Sequence, residues 1–547
     1  MAATVELPPA PPTAAEAPPL MRRRRARERV PLTLLVPALL AAAAATLPLV
    51  YLAVRAASAP ERAVDLLISP TAAGAIGNTA VLVAIVLAGS LALGVPLAWL
   101  TTRTDLPGRR LWALLAALPL VIPSYVAAYA YIAAFAPGGM FAAILGVDVP
   151  NLYGLVGASL VLILVSYPYV MLTVRAALVG LDPALEDASR SLGVGRLVTL
   201  RRVTLPLLRP AMAAGALLVA LYVLSDFGAV SLLRYDSFTR LIYTSYRAGL
   251  DRTGAVVLAL LLVAFTVVLL VVEARVRGRG STYRIGSGVR RSARPWALGR
   301  WRPVALVFVV TVVTLSLFVP VGVLLYWLVR GVAAGEPLRL AGETWLAAWH
   351  SVRASALAAF AAAALALPIG VLAVRYRRPL TVGLERASYL GYALPGIVVA
   401  LALVFLGARF AGPLYQTLPL LVLAYVVLFL PQAVGAVRAS VLQISPSVEE
   451  AARGLGEPRW RVMLRVTAPL ARPGMLAGGA LVFLTAMKEL PATLLLGPTG
   501  ERTLATAIWN ATSEAFFARA AAPALVLVLI SGVPLAILLH RRYGLGA

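Results

Sequence analysis

Long uncharged apolar runs, separated by short basic segments, set the plan of this chain. Pro31 to Val54 carries no Asp, Glu, Lys or Arg, and similar runs recur to the C-terminus. A helix needs about 20 such residues to cross the hydrocarbon core of a bilayer. Lipid offers backbone polar groups no partner, so spans must be helices or closed barrels. The runs are continuous rather than alternating, which excludes barrel strands. After the first run, the pattern predicts spans near 78–101, 112–136, 154–176, 211–234 and 254–274. Six more fall near 303–329, 353–375, 387–408, 417–437, 474–497 and 520–540. The expected fold is an all-α polytopic membrane protein of about 12 transmembrane helices, in two six-helix halves.

Arginine fixes the expected orientation. Arg22 to Arg25, Arg27 and Arg29 precede the first run, and Arg103, Arg109 and Arg110 follow the second. The stretch 274–302 holds nine Arg and no acid, whereas 137–153 has no basic residue. All Arg-rich loops fall on one side, so both termini are expected in the cytoplasm. The domain plan is a disordered tail (1–30), a first half (31–276), a basic linker (277–302) and a second half (303–547). Pro31–Val54 is longer than the apolar core of a signal peptide, so it is expected to remain as a span.

Composition narrows the function classes. The chain has 547 residues, 61% hydrophobic and 13% charged, with a mean hydropathy of +0.88. Its net charge of +26 fits basic cytoplasmic loops and needs no nucleic acid. There is no cysteine, and the histidines are His350 and His540. No constellation for catalysis or for a resident metal assembles from such a set. The one lysine, Lys488, lies in MKEL, so no phosphate-binding P-loop exists. Any ATP-driven work, with its ATP and Mg, belongs to a partner.

The halves are a direct repeat. VTLRRVTLPLLRP at 198–210 matches RVMLRVTAPLARP at 461–473, an offset of 263 residues. The register also pairs Pro168 with Pro431, Glu186 with Glu449, Gly193 with Gly456 and Asp226 with Glu489. An even number of spans per unit gives both halves the same orientation.

Between the fourth and fifth spans of each half lies a 35-residue polar loop, 175–209 and 438–472. Loops of that length are often functional. Asp182-Pro183 and Ser445-Pro446 read as N-cap plus Pro at N1. Glu186 with Asp187, and Glu449 with Glu450, lie where a helix dipole favours acids. Gly193 and Gly456 end the first short helix, and a second segment runs to Pro206 or Pro469. Glu450-Ala451-Ala452, Gly456 and Pro469 resemble the EAA loop of permeases in binding-protein-dependent ABC importers. Asp187-Ala188-Ser189, Gly193 and Leu205-Pro206 give a looser copy. The resemblance implies a type I importer permease whose loops are coupling helices. Glu186, Asp187, Ala188, Gly193, Pro206, Glu449, Glu450, Ala451, Gly456 and Pro469 would then dock on two copies of an ATPase subunit.

Asp226, Lys488 and Glu489 end long uncharged runs. Intramembrane ionisable groups cost about 2.5–3.5 kcal/mol each on insertion scales. Three readings stand: they line the translocation path or its gate, they pair to hold helices together, or they sit at the outer interface. LSDFGAVSLL with SFTRLIY, and MKELPATLLL with TLATAIW, resemble the fused-half permeases of ferric iron importers. That resemblance implies a bacterial inner membrane protein fed by an extracytoplasmic ferric-binding protein. Related fused permeases move thiamine or phosphonates. A proton-coupled secondary transporter also has twelve spans, and the loop 103–110 is similar to one in major facilitators. Those proteins, however, carry their long loop between the halves.

Overall fold

The computed structural model describes residues 30–146, 152–181, 183–247, 252–277, 295–335, 337–376 and 378–543. The expected tail at 1–29 and most of the linker lie outside them. The described residues are helical almost throughout, and they contain one isolated β-bridge, between Thr104 and Trp296. Ten helices are long and apolar enough to span: Leu32–Ala57, Pro70–Arg103, Ser124–Ile144, Gly154–Gly180, Leu200–Ser225, Thr253–Val272, Gly299–Ala333, Ala341–Arg375, Leu418–Gln443 and Arg459–Ala486. A bent pair, Pro379–Gly391 with Gly396–Phe410, makes eleven if it is taken as one span, and the shorter apolar helix Phe517–Gly532 lies where the last span was expected.

Four predicted spans are not continuous. The third is a short helix Arg109–Leu115, a 3-10 turn Leu118–Val121 and a helix beginning at Ser124. Its counterpart, the ninth, turns by 102° between Gly391 and Gly396. Pro123 and Pro395 stand just before the second helix in each case. Proline has no N–H to continue a helix and restricts the residue before it. The fifth and eleventh spans stop at Ser225 and Ala486, inside the predicted runs. Hydropathy sees only the apolar run, not its breaks.

Small residues set the close packing within each half. A Cβ on Gly215 would lie 2.8 Å from the Cα of Val170, and one on Gly478 would lie 2.8 Å from the Cα of Ala433. These are the same pair one repeat apart, so the fifth span seats on the fourth as the eleventh does on the tenth.

The halves also exchange helices. The first span packs on Pro337–Arg375 and Pro379–Ser388 of the second half. Val319–Ala333, in the seventh span, packs on Ser124–Phe135 of the first half. Tyr131 donates to the carbonyl of Leu315 at 2.7 Å, and Tyr129 to that of Phe517 at 2.6 Å. Phe227 and Trp509 bring their rings to 5.1 Å across the interface.

Candidate coupling elbows and broken spans

In the first half the chain leaves the fourth span at Gly180 and forms the helix Pro183–Ser191. In the second it leaves the tenth span at Gln443 and forms Pro446–Gly454. Ser445 holds the N-cap place with extended backbone and Pro446 follows at N1. The Ser445 side chain caps no amide; its hydroxyl pairs with Ser447 at 2.7 Å. The predicted cap Asp182 lies outside the described residues. Gly193 and Gly456 turn the chain with φ of +77° and +87°. A Cβ at either glycine would meet nothing within 4 Å, so the left-handed backbone, not space, calls for glycine here.

The elbows are shorter than the 35 residues expected. The second segments, Arg196–Thr199 and Arg459–Val462, run through π-helical turns Leu200–Thr204 and Met463–Thr467 straight into the fifth and eleventh spans. Pro206 and Pro469 therefore do not end the segment; each is the second residue of the next long helix. Proline leaves the carbonyl four residues earlier without a donor, and a widened π turn accommodates that gap.

One acid in each elbow faces inward. The Glu449 carboxylate lies 3.2 Å from Nε of Arg375 and accepts from the Thr467 hydroxyl at 3.1 Å. Arg375 also donates from Nη2 to the carbonyl of Ile444 at 2.8 Å. The first half repeats the arrangement more loosely: Thr204 donates to Glu186 at 3.1 Å, and Arg103 lies 3.9 Å from it while donating to the carbonyl of Leu178. The second and eighth spans thus end in arginines that clamp the elbow. Sequence reasoning missed Arg103 and Arg375, although both close an apolar run. It also missed the threonines inside the repeated V-T pairs.

Asp187, Ala188, Glu450 and Ala451 point outward and are exposed. Beside the glycines, Leu192 and Leu455 are 81% and 87% exposed. They too are one repeat apart, and the Leu-Gly pair was the signal that could have found them. Each elbow therefore presents an acid, an alanine and an uncovered leucine on a clamped support.

The broken spans also match. Asp226 accepts from the amides of Ala229 and Val230 at 3.1 and 3.3 Å, capping the short helix Gly228–Leu232. Glu489 accepts from the amide of Ala492 at 3.2 Å, at the start of Pro491–Leu496. Thr239 and Thr493 donate to the backbone carbonyls of these two acids, both at 2.6 Å. Lys488 donates to the carbonyl of Leu120 in the opposite half at 3.0 Å. No ion pair among Asp226, Lys488 and Glu489 appears among the described residues; the carboxylates cap helices, and the lysine bridges the halves. Gly228 backs onto Tyr125 and Leu490, which places the break at the seam.

Comparison with known proteins agrees with this duplicated geometry. Residues 90–279 and 366–541 each match the family of the binding-protein-dependent transport system inner membrane component. The Fe(3+)-transport system permease protein FbpB 2 of Haemophilus influenzae is 36% identical over 91% of this chain and 95% of its own length. A putative ferric transport system permease protein, FbpB 1, of the same organism is 25% identical over 80% of this chain and 72% of its own. A probable molybdenum ABC transporter permease of Haloferax volcanii is 36% identical over 33% of this chain and 68% of its own. Family membership sets aside the major-facilitator alternative. With two matched domains in one polypeptide, the chain belongs to the binding-protein-dependent ABC permeases, in their fused two-half form.

Proposed function

We propose that this chain is the translocating subunit of a ferric iron importer, with both termini in the cytoplasm of a bacterial cell. Two copies of a separate ATPase subunit engage the two elbows, and an extracytoplasmic ferric-binding protein delivers the ion to the opposite face. The observation that carries the reading is the pair of clamped elbows at one repeat spacing. A channel or an uncoupled carrier has no use for two such handles. Similarity to ferric permeases over nearly the whole chain supports the substrate.

In this reading ATP closes the two ATPase subunits and draws the elbows together. The Arg375–Glu449 and Arg103–Glu186 clamps pass that movement to the eighth and second spans. The π turns pass it to the eleventh and fifth. The seam around Asp226 and Glu489 then opens and closes as the halves rock. The capping carboxylates hold the short helices rigid while Lys488 exchanges its partner across the seam.

The test is reconstitution with the cognate ATPase. Ferric-loaded binding protein should stimulate hydrolysis, and thiamine- or phosphonate-loaded proteins should not. Stimulation by either of those would move the substrate assignment, and absence of any ATPase association would remove the function itself.

A further inference from the structure

We propose that Phe227, Tyr243 and Trp509 form the outer seal of the translocation path, and that the second and eighth spans join this seal to the elbows. The path and its alternating access rest on the proposed function; the geometry of the seal does not. Tyr243 lies on the helix Phe238–Arg247 and Trp509 on the helix Leu504–Ser513. The two helices are repeat equivalents: LIYTS at 241–245 aligns with AIWNA at 507–511, so Tyr243 matches Trp509. The preceding Ile242 and Ile508 are both fully buried, which fixes that register. The rings of Tyr243 and Trp509 stand 6.3 Å apart, edge to face. Phe227 packs against both, at 4.8 Å from Tyr243 and 5.1 Å from Trp509. Equivalent residues that touch across two halves lie beside the pseudo-two-fold axis, which in a parallel repeat runs along the membrane normal. A path shared by the halves follows the same axis. Three packed rings there make an apolar constriction, which closes a path by excluding water. Phe227 directly follows Asp226, so the seal stands on the break of the fifth span.

Each ring-bearing helix is tied to a long span of its own half. Asn78 donates to the carbonyl of Asp236 at 3.0 Å, and the Thr79 hydroxyl accepts from the amide of Phe238 at 3.1 Å. In the second half Nδ1 of His350 donates to the carbonyl of Arg502 at 3.0 Å, and the Ser351 hydroxyl accepts from the amide of Leu504 at 2.8 Å. Asn78 with Thr79 and His350 with Ser351 are one repeat apart, as are Arg103 and Arg375 at the other ends of the same helices. About 24 residues of helix, roughly 36 Å, separate the two attachments in each half. The second and eighth spans therefore hold an elbow clamp at one end and a ring-bearing helix at the other. Movement of the elbows tilts both spans and draws Tyr243 away from Trp509.

Ion leak and thiol labelling test this. The purified chain, without the ATPase, is placed in proteoliposomes under a potassium gradient. A variant carrying F227A and W509A should lose the gradient on the order of tenfold faster than the parent. F360A, at a side chain 78% exposed on the eighth span, should stay tight. If the double variant melts below the parent, W509A alone is read. Tight vesicles from a folded variant overturn the seal. The chain has no cysteine, so F227C carries its one thiol. With the ATPase bound and nucleotide trapped, a membrane-impermeant maleimide added outside should label it about tenfold faster than without nucleotide. T79A combined with S351A should abolish that acceleration and leave the nucleotide-free rate low. Equal acceleration in that variant overturns the link between elbow and seal. A chain that binds no ATPase would remove the proposed function and leave the leak result standing. Tight vesicles beside intact ATP-driven uptake would do the reverse.

Discussion

Arg375 and Glu449 are 74 residues apart in sequence, yet guanidinium Nε and carboxylate Oε2 lie 3.2 Å apart at the base of the second elbow. Their side chains are only 13% and 11% exposed. At such burial, the loss of one partner leaves a charge without compensation, which costs about 3–5 kcal/mol. E449A should therefore lower the thermal stability of the detergent-solubilised chain clearly. E186A should do so less, because its arginine stands 3.9 Å away. A thermal shift series with E449A, R375M and the double variant checks this. The double variant should be less damaging than the two single changes added together, and strict additivity would mean that the pair is not coupled.

Leu192 and Leu455 should matter to association rather than to folding. Both are uncovered, so L192D and L455D should leave melting temperature and monodispersity unchanged. Each should weaken binding of the ATPase at least tenfold, as loss of an apolar anchor at an interface does. Pull-down with the purified ATPase reads this directly. Wild-type affinity in both variants would place the docking face elsewhere.

Gly193 and Gly456 allow a cleaner separation of strain from contact. Nothing lies within 4 Å of a Cβ at either place. G456A should therefore cost only the left-handed backbone penalty, about 1–2 kcal/mol. G456P cannot adopt a φ of +87° and should disrupt the elbow. Hydrogen exchange at 444–458 should rise modestly in the first variant and strongly in the second, with the spans unaffected. ATP hydrolysis in G456P should proceed without transport.

Asp105 predicts a pH dependence outside the membrane. The Leu298 amide and then the Arg302 guanidinium hold its carboxyl below the ordinary value of 3.8. A group with a depressed folded-state value contributes stability above its unfolded value and loses it as pH falls through the folded one. The staple between the loop after the second span and the linker should thus be intact at neutral pH and open only below about pH 4. Hydrogen exchange or limited proteolysis at 295–302 should show the opening in acid. D105N, which does not titrate in this range, should remove the pH dependence. Opening that persists in D105N would assign the effect to another group.

Asp226 distinguishes capping from charge. D226N keeps an oxygen that can accept from the amides of Ala229 and Val230, whereas D226A leaves them without it, at a cost of about 1 kcal/mol or more. Yield and melting temperature should follow the order wild type, D226N, D226A, and uptake in proteoliposomes should survive in D226N. Loss of uptake in D226N with normal folding would mean that the negative charge itself is required.

Much of this molecule was determined by the sequence alone. Uncharged runs of membrane length, arginine spacing and the 263-residue repeat prescribe two six-span halves. They also prescribe paired elbows turned by Gly193 and Gly456, because a bilayer admits few solutions and a left-handed turn favours glycine. Only tertiary structure decided the rest. That Arg375 seeks Glu449 across 74 residues, that the first and seventh spans cross into the opposite halves, and that Asp226 and Glu489 cap broken helices are outcomes of packing. Hydropathy records how much a segment prefers lipid. It does not record where a buried carboxylate finds its donor, since that partner is brought near only when the whole bundle closes.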